Sequence, residues 1–168
     1  MTTLAPALDT ARAWQVLSEV LDPEVPVLSV VELGIVRDVA VDGDRVEVTL
    51  TPTYSGCPAT EVIADAVAAA LRDAGAAEVK VHTRLAPAWT TDWIAPAAAE
   101  KLRLYGIAPP HVSAALAEQP LRFHPRGIAC PRCESTNTRM LSAFGATACK
   151  SLYRCLTCLE PFEHFKPI

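Results

Sequence analysis

The chain has 168 residues, 51% of them apolar and 20% charged, with a net charge of −4, which suffices for one medium domain with a packed core, alone or beside a small companion. No apolar run reaches the ~20 residues of a membrane span, and the opening MTTLAPALDTARAW lacks the basic stretch and apolar block of a secretion signal. A cytoplasmic protein is therefore expected, in which the six cysteines serve as metal ligands or reactive thiols in place of disulfides.

From the N-terminus, Asp9 can cap a first helix on which Trp14, Leu17 and Leu21 share one face. Pro23 is expected to end it. The stretch Asp22-Pro-Glu-Val-Pro26 reads as a turn, because two prolines remove backbone donors. Ser29 and Glu32 have the spacing of a capping box on a short helical turn that Gly34 stops. Two strands follow, over 35–41 and 45–51, joined through Asp42-Gly43-Asp44. In the second, Val46, Val48 and Leu50 alternate with Arg45, Glu47 and Thr49, so one face is buried and the other wet. Pro58 suits the first position of a helix whose apolar stripe is Val62, Ile63, Ala66, Val67, Ala70 and Leu71. Gly75 closes it.

A third strand is expected over 78–85, with Val79, Val81 and Leu85 on one face and Lys80, His82 and Arg84 on the other. A last helix falls between Pro96 and Gly106. The order α, β, β, α, β, α predicts an α+β domain: a small sheet of about three strands with its helices on one face.

The composition then changes. Residues 1–120 hold 8 Lys and Arg against 16 Asp and Glu, and residues 121–168 hold 7 against 3, so the first part carries −8 and the second +4. Five of the six cysteines lie beyond position 129. Together with the prolines at 109, 110, 120 and 125, this predicts two domains, 1–110 and 126–168, joined by a linker over 111–125.

Cys130-Pro-Arg-Cys133 and Cys155-Leu-Thr-Cys158 are two CxxC pairs separated by 21 residues. Two residues between thiolates let both sulfurs converge on one metal, and the intervening segment is long enough for a hairpin, so Cys130, Cys133, Cys155 and Cys158 define a four-cysteine zinc ribbon. The competing readings are iron in a rubredoxin-like centre or cluster, since sulfur ligation alone does not choose the metal, and two metal-free thiol pairs. A ribbon of about forty residues has too little core to fold unaided, so metal binding should supply its folding energy. His124 and His164 could each stand in for a cysteine, but four thiolates complete the set and both read as ordinary polar residues. Cys149 reads as a small buried residue ahead of a second functional thiol. A filled site adds −2, so the local charge falls to about +2, thin for gripping phosphates. Phe144, Tyr153, Phe162 and Phe165 are then the ribbon's core, with base stacking on nucleic acid as the alternative.

The remaining cysteine lies in Tyr54-Ser-Gly-Cys-Pro-Ala-Thr-Glu-Val62. If Pro58 opens the helix, Cys57 occupies its N-cap, where free amides and the helix dipole favour thiolate over thiol. Against this, free cysteines are mostly small buried residues, and one sulfur cannot hold a metal permanently.

DPEVPVLSVVELGIV at 22–36 and LTPTYSGCP at 50–58 resemble the MIP18-like (DUF59) family, which is linked with iron–sulfur cluster assembly. PAWTTDWIAPAAAEKLRLYGIAPP at 87–110, with the CxxC tail, resembles a narrower group, the D subunits of phenylacetyl-CoA epoxidase (ring 1,2-epoxidase) systems. The resemblance implies a non-catalytic accessory protein of a multicomponent di-iron oxygenase in aerobic phenylacetate degradation. Its role would be to help assemble a metal centre in the di-iron oxygenase subunit or the iron–sulfur reductase subunit. The alternative it leaves is a structural subunit that moves no metal. It also implies that Cys57 is a functional thiol for transient iron or an iron–sulfur cluster, that Asp22 and Glu24 are the matching acidic positions, and that Thr51 and Thr53 orient the loop. An acidic turn capping its own backbone and two strand-end threonines are the plainer readings of those four. Trp89 and Trp93 read as packing or partner-docking residues. A structural zinc in the tail and a homodimer are both compatible with the sequence, and neither a membrane nor a nucleic acid is expected as partner. The long helices bearing Glu and Glu-x-x-His of a di-iron bundle are not found.

Overall fold

In the computed structural model, which describes residues 8–110 and 127–168, Asp9 accepts a hydrogen bond of 2.7 Å from the Arg12 N–H and caps α1, Thr10–Leu17. The helix ends sooner than its apolar spacing suggested. Ser18 is its C-cap, so Leu21 lies outside it and is 54% exposed, while Ala13 and Leu17 form the buried face. Ser29 and Glu32 make a reciprocal capping box: the Ser29 N–H donates to Glu32 Oε2 at 3.0 Å and the Glu32 N–H to Ser29 Oγ at 3.1 Å.

Two strands follow, β1 (Val36–Asp42) and β2 (Arg45–Leu50), antiparallel across a turn whose Gly43 has φ +61°. A helix, α2 (Ala59–Asp73), crosses over to β3 (Glu78–Thr83), which pairs parallel to β2. The sheet order is β1-β2-β3, and α1 packs against α2 and β1 while α2 packs against β3. Val46, Val48 and Leu50 are buried between exposed Arg45 and Glu47, as the alternation requires. The buried stripe of α2 is Ala59, Ile63, Val67, Ala68 and Leu71. Val62 and Ala66 fall outside it, with Val62 57% exposed, because a four-residue step through 59, 63, 67 and 71 leaves them on the flank. Strand β3 stops at Thr83, so Leu85 joins no apolar face and is 54% exposed. Trp89 is a packing residue: it is buried, and its Nε1 donates to the Leu33 carbonyl at 2.9 Å. Trp93 is half-buried under the Arg37 guanidinium, which lies 3.6 Å from its ring centroid.

The chain divides into two compact units, Met1–Trp89 with Trp93–Ala95, and Thr90–Asp92 with Pro96–Ile168. The division falls upstream of residue 110. Helix α3 (Ala98–Tyr105) ends at Gly106, whose φ is +93°, and leads into β4 (Ile107–Ala108). That two-residue strand runs parallel to β7 and completes a sheet of order β4-β7-β6-β5, with β5 Thr138–Ser142, β6 Lys150–Cys155 and β7 Pro161–Phe165. Ala108 is buried with Cys130, Cys155 and Phe162. No compositional signal marks so short a strand, which is why the sequence pattern alone places α3 and β4 in the first unit. The linker over 111–125 and His124 lie outside the described residues.

Candidate functional site

Cys57 is half-buried at the entrance to α2. Helical hydrogen bonding starts at Ala59, one residue later than the sequence suggested, with Pro58 in the cap position. Pro58 nevertheless has helical dihedrals, φ −66° and ψ −22°, because its ring fixes φ near that value. The Cys57 carbonyl accepts from the Thr60 N–H at 3.2 Å and from Thr60 Oγ1 at 2.9 Å, which ties the loop to the first turn. The sulfur lies in an open cleft of about 630 Å³ whose rim includes Ser55, Thr60, Glu61, Thr83 and Leu85. A Cβ added at Gly56 would meet nothing within 4 Å, so the approach past that residue is open.

Topology builds this cleft. The parallel register sets Leu50 opposite Thr83, so the chain leaving β2 and the chain leaving β3 emerge side by side, and both line one cleft with the first residues of α2. The sequence pattern assigns Leu85 to an apolar strand face and carries no sign that Thr83, Glu61 or Tyr54 belongs with Cys57. Only Thr60, three residues after Cys57 as a side-chain-to-backbone bond requires, carried a local signal.

The thiol is shifted against ionisation, opposite to the direction its position suggested. Burial pushes its pKa up, and the Glu24 carboxylate adds to this, while the Ala59 N–H and the Tyr54 and Thr60 hydroxyls pull it down. The net direction is upward, so helix-terminus stabilisation is outweighed by desolvation and a nearby negative charge. Alkylation of Cys57 by iodoacetamide is accordingly expected to be slow at neutral pH and to accelerate as the pH rises past the ordinary thiol range. Rate–pH profiles, read by mass spectrometry of the peptide containing Cys57, check this, and a fast plateau already at pH 7 would contradict it.

The four supporting residues separate. Glu24 is half-buried and its charge acts on Cys57. Asp22, 5% exposed, uses Oδ1 to accept from the Glu24 N–H at 2.8 Å and the Val25 N–H at 2.7 Å, so it shapes the turn that presents Glu24. Thr51 and Thr53 are buried, the Thr51 N–H donates to the Ile35 carbonyl at 2.8 Å, and neither residue lines the cleft.

In the ribbon unit the Sγ atoms of Cys130, Cys133, Cys155 and Cys158 all lie within 4.8 Å of one another. Cys130 and Cys158 are 3.8 Å apart and Cys133 and Cys155 3.5 Å. A tetrahedron with Zn–S bonds of ~2.3 Å has S···S edges of about 3.8 Å, so the donor set fits one tetrahedral metal. Each knuckle is held by its own backbone: the Glu134 N–H donates to the Cys130 carbonyl at 2.9 Å, and the Thr157 and Cys158 N–H groups both reach Cys155 Sγ at 3.4 Å. These donors, the Cys158 N–H above all, lower the Cys155 thiol to about 6, which favours thiolate, the form that ligates. Cys149 is buried, contacts Thr147 Oγ1 at 3.1 Å and is not part of the cluster. His164 is also buried and outside it.

The structure thus joins a β-β-α-β unit, with a cysteine at the mouth of its crossover helix, to a ribbon whose four cysteines can hold one metal. Residues 10–83 match the family described as "Iron-sulfur cluster assembly protein", and residues 117–166 match the "PaaD zinc beta ribbon domain". Over 168 residues the chain is 46% identical to the Escherichia coli (strain K12) protein provisionally described as the D subunit of 1,2-phenylacetyl-CoA epoxidase, covering 100% of this chain and 98% of that one. It therefore belongs to the family of phenylacetyl-CoA epoxidase D subunits. It is also 41% identical over 78 residues to the Fe-S protein maturation auxiliary factor YitW of Bacillus subtilis (strain 168), covering 45% of this chain and 76% of that protein. Among solved structures, a conserved hypothetical protein of Thermotoga maritima aligns with a TM-score of 0.51 and 29% identity, over 59% of this chain and 98% of its own.

Proposed function

We propose that this protein is an accessory subunit of a phenylacetyl-CoA epoxidase system that assists assembly of an iron–sulfur or di-iron centre in a partner subunit, without catalysing oxygenation itself. The observation that carries this is the geometry around Cys57: one sulfur in an open cleft with carboxylates near it and, among the described residues, no second thiol lining it. Such a site can lend one soft ligand to an iron cargo while the client supplies the rest, which favours release over storage. The raised thiol suits this role. Cys57 stays protonated until the cargo arrives, and its proton leaves to solvent as the metal–sulfur bond forms. Glu24, presented by the Asp22 turn, can then face a cation where before it disfavoured ionisation of the thiol. The four-cysteine cluster, with a donor set that fits zinc, takes the structural role in this division of labour.

The test is reconstitution. Metal-free oxygenase and reductase subunits are each incubated with limiting ferrous iron and sulfide, with wild-type protein or with Cys57→Ser, and centre formation is followed by absorbance and by epoxidase turnover. Wild type should accelerate loading of one subunit, and Cys57→Ser should not. The raised thiol also favours a rival, a structural subunit that moves no metal. A tight stoichiometric complex in which Cys57→Ser retains full loading and turnover would establish that rival.

A further inference from the structure

A second concavity lies in the ribbon unit, on one face of its sheet, and none of the four clustered cysteines lines it. Its volume, about 690 Å³, is in the range of pockets that enclose small organic ligands. The cross-strand register explains its lining. Met140 sits opposite Tyr153 and Ser151 opposite His164, and directly opposed residues share a face of the sheet. This face is therefore aromatic and apolar, with Tyr153 edge-on to His164 at 5.7 Å. Phe144 closes one side and is 64% exposed, a cost in water that a bound apolar group would reduce.

Charge is placed asymmetrically around the pocket. Among the described residues, no Asp or Glu lines it. Glu163 lies opposite Leu152, on the other face, and is ion-paired at 2.8 Å with Lys150. Lys166 does line the pocket, its ammonium held at the mouth by the Ala143 carbonyl at 3.1 Å and 4.4 Å from the centroid of the Phe144 ring. Deeper in, Ser151 is 2% exposed, and among the described residues its hydroxyl makes long contacts alone, 3.4 Å to His164 Nδ1 and 3.4 Å to the His164 carbonyl. A buried hydroxyl so loosely engaged can turn towards a ligand acceptor.

From this arrangement we infer a small-molecule site for a flat aromatic anion. The ring stacks between Phe144 and Tyr153, the acidic group meets Lys166, and Ser151 donates to a polar atom of the ring system or its linker. The site is independent of the role proposed for Cys57.

Fluorescence titration of the metal-loaded full chain with 8-anilinonaphthalene-1-sulfonate, a probe of this class, tests it. One saturable site per chain is expected, displaced by 2-naphthoate and more weakly by neutral 2-naphthol or by octanesulfonate. Lys166→Gln should weaken binding about threefold, the scale of one exposed charge contact. Phe144→Ser should weaken it about fivefold, the scale of one aromatic contact, and Cys57→Ser should change nothing. Phe144 is exposed and Lys166 half-buried at the mouth, and circular dichroism with metal content confirms that the variants stay folded. Non-saturable binding, wild-type affinity in both Lys166→Gln and Phe144→Ser, or naphthol binding as tightly as naphthoate would overturn the inference. Displacement of the probe by a short single-stranded oligonucleotide but not by naphthoate would overturn it too, and would make the face a nucleic-acid surface.

Discussion

Cys130→Ser is expected to strip the ribbon unit of its metal and unfold it, whereas Cys57→Ser should leave both metal and fold intact. The buried cluster around the cysteines is small, comprising Ala108, Cys130, Cys155 and Phe162, with Ile128 and Tyr153 packed on it. Against that, structural zinc contributes an apparent ~10–16 kcal/mol in ribbon-sized peptides. Three thiols without the fourth cannot close the tetrahedron, so most of that stabilisation is lost. Metal analysis and amide exchange over β5, β6 and β7 check the outcome: about one metal per chain in wild type and Cys57→Ser, little in Cys130→Ser, with fast exchange there alone. Metal content that depended on Cys57 would merge the two sites and end the division of labour. Loading should also weaken as pH falls. Within the four-thiol cluster the Glu160 N–H pulls the Cys158 thiol down, but desolvation and the neighbouring sulfurs together outweigh it, and the thiol is pushed up to about 12. Metal binding must therefore expel protons, and acid favours the protonated thiols.

Gly34→Ala should destabilise the first unit by several kcal/mol, of order 3–5, the range in which a steric clash and backbone strain combine. Gly34 has φ +66°, in the left-handed region that costs a Cβ-bearing residue roughly 1–2 kcal/mol. An added Cβ would also come within 2.5 Å of the Trp93 carbonyl oxygen and 2.7 Å of Trp93 Cβ, and backbone cannot yield as a flexible side-chain tip can. The loss should extend to the Cys57 cleft. The residue after Gly34, Ile35, accepts the Thr51 N–H, and the turn that presents Glu24 is tied to the same stretch, the Asp22 N–H donating to the Leu28 carbonyl at 2.9 Å. Urea titration reads the stability change. Cys57 alkylation below the midpoint should speed up as the cleft loosens. An alanine variant of wild-type stability would mean that Trp93 moves freely, contrary to its place beside Gly34.

The sequence was sufficient where a signal is local. Asp9 and the Ser29–Glu32 box were legible because a cap needs only a side chain and an amide three residues away. The faces of β2 followed from alternation, and the convergence of the four cysteines from two CxxC spacings whose geometry closes within each knuckle. Where several solutions satisfy the same local pattern, the sequence was insufficient. Val62 and Leu85 have apolar side chains in phase with a stripe or a strand, yet both are exposed, because only the packing of α2 and the end of β3 decide which side is inside.

By itself, then, the sequence determined the α+β class, the four-cysteine ribbon and the singular position of Cys57 before a helix. The tertiary structure alone decided that β4 joins the ribbon sheet, that β2 and β3 run parallel and bring Thr83 and Leu85 beside Cys57, and that the sulfur's acidity is lowered by burial and Glu24. The physical reason is range. Caps, turns and CxxC knuckles are settled within a few residues by geometry the chain carries with it. Strand partnership, desolvation and Coulomb interactions depend on groups distant in sequence, whose positions exist only once the chain has folded.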